Sequence, residues 1–182
     1  MDFEIIKLLK FMSLLLVAII LITALFYEKI IASVLLPQYI DWAQETDEKG
    51  VEIGTPLNNE ERSLAEEIGI KHPEKVRIVY VDDVPYPYDN FALKVFGEAV
   101  GLVGEVITNN AQVFGYSIYA RLDFELTRPK LAHELVHVLQ VERASLDKVV
   151  TQHFFDMAKY GYDKAPLEVE AAEANKIYSA DW

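Results

Sequence analysis

The chain has 182 residues, with 17 Lys and Arg against 29 Asp and Glu and a net charge of −12. That length allows one domain of ordinary size plus an appendage, and the acidic balance argues against a nucleic-acid partner, which needs clustered cations. It has no cysteine, which excludes disulfides, thiol nucleophiles and thiolate metal sites.

From Phe11 to Tyr27 no side chain is charged, and apolar residues resume from Ile30 to Leu36 after Glu28 and Lys29. A membrane span needs roughly 17–25 apolar residues, and no A-x-A-like cleavage site follows the run. Residues 1–40 are therefore expected to form an uncleaved single-pass anchor. Lys7 and Lys10 precede the run and Lys29 follows it, a bias that places the remaining chain outside the cytoplasm.

Asp41 to Gly54 is acidic and weakly periodic, and reads as a linker leaving the membrane, with Trp42 at the interface. The globular domain is expected over 55–182. Thr55-Pro56 reads as the start of a helix to about Ile68, and Val76–Val81 as a buried, β-branched strand. Asp82–Pro87 reads as a loop. Phe91–Val103 has helix formers interrupted by Gly97 and Gly101 and remains open between helix and loop. Val106-Ile107-Thr108 reads as a short strand. In Val113–Leu126, Tyr116, Ile118 and Ala120 alternate with Ser117, Tyr119 and Arg121, as in a strand that can also pair with an extended peptide.

Next comes His133-Glu134-Leu135-Val136-His137, an H-E-x-x-H pattern in a helix whose core stripe is Leu131, Leu135, Val138 and Leu139. Residues i and i+4 share a helix face, so His133 and His137 can offer two nitrogens to one Zn2+ at about 2 Å. Glu134 lies roughly 100° round, within reach of a metal-bound water without being a ligand. Ser145 can open a second helix that ends at Gly161 and carries His153. Pro166 starts a third, with Glu168, Glu170 and Glu173.

A catalytic zinc usually takes three protein ligands and leaves one position open. With no cysteine, the third comes from His153 or a glutamate of the last helix, and periodicity alone does not choose between them. Tyr162, Tyr160 and His153 are candidate donors to a developing oxyanion.

The two motifs, His133–Gln140 and Ala165-Pro166-Leu167-Glu168-Val169-Glu170-Ala171, together resemble the gluzincin zinc metallopeptidases. More narrowly they resemble a group of small bacterial zincin-like proteins, over residues 128–175, about a quarter of the chain. The resemblance implies an α+β zincin-like domain with a small sheet packed on the metal helix. It implies His133, His137 and Glu168 as zinc ligands and Glu134 as general base. Helix geometry agrees: Pro166 puts Glu168 in the first turn, and Ala171, Ala174 and Tyr178 mark an adjoining apolar face. One departure stands out. Gluzincins often carry an acid four residues after the ligand glutamate, where Ala172 stands here, so the acceptor orienting a histidine must come from elsewhere, with Glu173 or a backbone carbonyl as candidates.

These readings combine into a membrane-anchored zinc metallopeptidase acting on a peptide or protein substrate. The alternative is a tethered, non-catalytic zinc-binding domain serving binding or assembly.

Overall fold

The computed structural model describes residues 3–100 and 109–179. The expected strand at Val106–Thr108 lies outside them. Contacts divide the chain into two units, Met1–Pro37 and Gln38–Trp182.

The first unit holds α1 (Phe3–Ile30) and a π-helical turn, Ile31–Leu35. Among the described residues, no helix is long and apolar enough to cross a membrane. That overturns the expected single-pass anchor within residues 1–40, and with it the placement of the domain outside the cytoplasm. At 1.5 Å rise per residue the charge-free run 11–27 covers about 25 Å, short of the ~30 Å hydrocarbon core. Lys7 and Lys10 lie before that run in α1, with Glu28 and Lys29 after it.

The second unit is α+β. Its described strands, β1 (Thr55–Pro56), β2 (Arg77–Val81), β3 (Ala111–Phe114) and β4 (Ser117–Arg121), form one mixed sheet in the order β1-β2-β4-β3. β2 and β4 run parallel with Ile78 opposite Ile118, and β3 returns antiparallel on β4 with Val113 opposite Ile118. The tight return is made at Gly115, whose φ of +60° suits glycine because it has no Cβ.

Both faces of β4 are covered, so the expected one-sided alternation is absent. Ser117, Ile118, Tyr119 and Ala120 are all buried. Ile78 and Ile118 face a core shared with Leu64, Leu131, Leu135, Val138 and Ala171. Val79, Phe114 and Tyr119 face a second cluster with Ala43.

Ala43 belongs to α2 (Leu36–Ile53), so the stretch expected as a linker is a helix laid on the sheet. Asp47 of α2 accepts from the backbone N–H groups of Tyr116 and Ser117 at 2.8 and 2.9 Å. Gly50 permits the close approach, since a Cβ there would sit 2.5 Å from Ser117 Cβ. The acidic residues of this stretch therefore include a structural cap for the β3–β4 turn.

The helix expected from Thr55 begins later, as α3 (Asn59–Ile68). Asn58 accepts from Glu60 and Glu61 N–H while the Glu61 carboxylate takes the Asn58 N–H, a reciprocal cap. Thr55-Pro56 is released to pair with β2. Phe91–Val100 resolves as a helix, α4, opened by the Asn90 side chain accepting from Ala92 and Leu93 N–H. The other α-helices among the described residues are α5 (Arg128–Arg143), α6 (Leu146–Tyr160) and α7 (Pro166–Ile177). Ser145 precedes α6 without a side-chain cap to its backbone.

Candidate metal centre

α5 carries the first half of the site. Leu131, Leu135 and Val138 are at most 1% exposed and lock the rotation of the helix against the sheet. That rotation leaves His133 and His137 on the flank facing α7, their Nε2 atoms 3.2 Å apart and their rings edge to face. α7 supplies the second half. Ala171 and Ala174 are buried in the core, and their small side chains let the two helices approach closely. Glu168, in the first turn of α7, is 6% exposed.

Glu168 is the hub. Its Oε2 lies 3.6 Å from His133 Nε2, and its Oε1 lies 3.6 Å from His137 Nε2 and 3.4 Å from His153 Nε2. Burial opposes its charge, but the three imidazoles and the Tyr162 hydroxyl prevail and hold its pKa below the usual carboxylate range. His133 is pulled the other way. Burial opposes protonation, yet Glu168 and Glu134 outweigh it and raise the His133 pKa. His137 and His153 are pushed down by burial, against the pull of Glu168.

Each histidine on α5 has a partner on its far nitrogen. His137 Nδ1 is 2.9 Å from Gln140 Oε1, which can accept its proton and leave Nε2 bare for a metal. Gln140 is itself held, donating to the Leu167 carbonyl at 3.0 Å and to Glu170 Oε2 at 2.9 Å, and Arg143 pairs with Glu170. The His133 ring lies 3.4 Å from the Asn175 side-chain amide nitrogen through Nδ1. At His133 Nδ1 the group met is thus the Asn175 amide and not a carboxylate. Glu173 instead pairs with Lys176 at 2.7 Å.

Glu134 is buried, and burial, reinforced by the Glu168 charge, pushes its pKa up to about 7 against the pull of His133. Of the three expected oxyanion donors, His153 and Tyr162 stand beside Glu168. Burial and the neighbouring Glu168 charge raise the Tyr162 pKa. Tyr160 is exposed, as is much of the Tyr162 side chain, and the Lys159 ammonium lies over the Tyr160 ring.

The donor set fits a metal. One atom each from His133, His137 and Glu168 lies within 4.8 Å of the others. The two Nε2 atoms lie 3.2 Å apart, and each is 3.6 Å from its nearer Glu168 oxygen, Oε2 for His133 and Oε1 for His137, close to the ~3.4 Å edge of a tetrahedron drawn with zinc bonds of about 2.1 Å. Glu168 Oε2 is also buried with no hydrogen-bond partner. A buried carboxylate oxygen in that state is costly until a cation meets it.

Glu170, the competing ligand, is engaged by Gln140 and Arg143 and is not among the three groups that close on one point. Sequence reasoning missed Gln140 and Asn175. A signal for Gln140 was present, since it stands three residues after His137, one helical turn on. Comparison of the chain with family models, curated proteins and solved structures finds no match.

Proposed function

We propose that the second unit is a zinc-dependent peptidase domain of gluzincin type, with His133, His137 and Glu168 as ligands and Glu134 as general base. The observation that carries the reading is the convergence of three donors from α5 and α7 on one point, with an unpartnered Glu168 oxygen among them. Zinc bound there would polarise a water and a substrate carbonyl, which is the Lewis-acid chemistry such a site supplies.

The chain's own residues do the rest. Gln140 fixes the tautomer that aims the His137 Nε2 atom at the ligand point. The Glu134 carboxylate, next to His133 on the same helix, takes a proton from the attacking water and returns it to the departing amine. A group whose pKa is near 7 when metal-free is suited to moving a proton in both directions. The Tyr162 hydroxyl, close enough to Glu168 to feel its charge, is the proposed donor to negative charge on the carbonyl oxygen.

The test is a zinc-loaded full chain incubated with a peptide library and read by mass spectrometry, beside Glu134→Gln. Cleavage by the wild type alone, with equal zinc in both proteins, supports the assignment. Equal zinc with no cleavage by either overturns catalysis and leaves a zinc-holding binding domain.

A further inference from the structure

His153 is not among the three groups that close on one point, yet it makes the shortest histidine approach to Glu168, 3.4 Å against 3.6 and 3.6 Å. It comes from a third helix, α6, whose position is braced by Phe154 stacking on Phe96 of α4 at 4.8 Å. The two oxygens of Glu168 are inequivalent. Oε2 is buried with no hydrogen-bond partner, and Oε1 lies 3.4 Å from His153 Nε2 and 3.6 Å from His137 Nε2.

We infer that His153 is a positioning residue for the metal centre, whose Nε2–H engages Glu168 Oε1 and reserves Oε2 alone for the metal. The inference rests on the zinc reading above and adds the mode in which Glu168 binds. A carboxylate with both oxygens free can chelate a cation through both. With Oε1 engaged as an acceptor, it binds through one oxygen and keeps a coordination position for water or substrate.

The other nitrogen of His153 supports the same tautomer. Nδ1 is buried without a hydrogen-bond partner. A proton on Nδ1 would bury an N–H with no acceptor, whereas a bare Nδ1 buries only a lone pair. The proton therefore sits on Nε2, the atom that faces Glu168. This also separates His153 from a ligand role, which would require a bare Nε2.

The experiment uses the full chain, His153→Phe, which keeps a ring but no donor, and His153→Gln, whose amide can replace the Nε2–H. Zinc affinity is read by chelator competition, and coordination number by the visible spectrum of the Co2+-substituted proteins. His153→Phe should bind zinc about 10–100-fold more weakly, the range for loss of an outer partner, and its Co2+ band should weaken as a second carboxylate oxygen enters. His153→Gln should stay within a few-fold of the wild type with an unchanged spectrum.

Identical affinity and spectrum in His153→Phe overturn the inference, as does His153→Gln failing as badly as His153→Phe. If His153→Phe does not fold, long-range 1H–15N correlation of the histidines in the zinc-loaded wild type decides. A neutral His153 ring protonated at Nε2 supports the assignment, and a metal-bound Nε2 or a proton on Nδ1 overturns it. A wild type that binds no zinc overturns the zinc reading as well, whereas zinc binding with an unresponsive His153→Phe overturns this inference alone.

Discussion

Replacing Glu134 by glutamine should stabilise the zinc-free chain, and the gain should grow with pH. Glu134 is 9% exposed, and its pKa is pushed from 4.5 up to about 7 by burial and the Glu168 charge. In the unfolded chain the same carboxyl ionises near its ordinary value. Between pH 4.5 and 7 the folded state thus holds a proton that the unfolded state has released. Stability falls as pH rises through that window, is unaffected by Glu134 below it, and carries the full penalty above it. At 1.36 kcal/mol per pH unit the penalty is about 3 kcal/mol.

Glutamine keeps the shape and never ionises. For a chain of this size about 3 kcal/mol corresponds to roughly 6–12 °C in Tm. The assay is thermal unfolding of both proteins in chelator from pH 4.5 to 8.5, read as the difference between them. The difference should climb from its pH 4.5 value by several degrees and level off above pH 7. Added zinc should shrink the climb, because a neighbouring dication favours the ionised carboxylate. A difference that is flat with pH, or that falls as pH rises, refutes the burial argument.

Four further outcomes follow from the packing. Glu168→Ala should weaken zinc binding by orders of magnitude while Glu170→Ala changes it only a few-fold, measured by parallel zinc titrations. Gln140→Leu, which removes the His137 Nδ1 acceptor, should cost about 10–100-fold in zinc affinity by chelator competition. Gly50→Ala should lose about 1–3 kcal/mol in urea unfolding, since its Cβ would meet Ser117 Cβ at 2.5 Å. Leu135→Ala, at a fully buried position of α5, should lose about 2–5 kcal/mol in the same assay.

The site was legible where its information is local. The i, i+4 spacing puts His133 and His137 on one face whatever surrounds them, and Pro166 sets the phase of α7 and so the side on which Glu168 and Ala171 lie. What was not legible depends on contacts distant in sequence. Asp47 reads as one more linker acid until the Tyr116 and Ser117 amides reach it. Likewise, the alternation in β4 suggests one wet face, and only α2 on the other side buries Tyr119. Asn58 outcompeted Thr55 as a helix start through a reciprocal cap that sequence alone displays but does not rank. The apolar run of α1 led to an anchor because composition speaks more loudly than length. His153 could be placed on a helix, but not beside Glu168, because that requires knowing how α6 folds back.

The central claim is a single zinc held by α5 and α7, and metal content tests it most directly. The full chain, purified without chelator and dialysed against metal-free buffer, should retain or take up close to one zinc per chain, and His137→Ala should take up none stoichiometrically. Zinc should also raise the Tm of the wild type, by about 2.7 kcal/mol of stabilisation at a hundredfold excess over Kd. A wild-type chain that refuses zinc, or a His137→Ala chain that binds it as well as the wild type, would contradict the account.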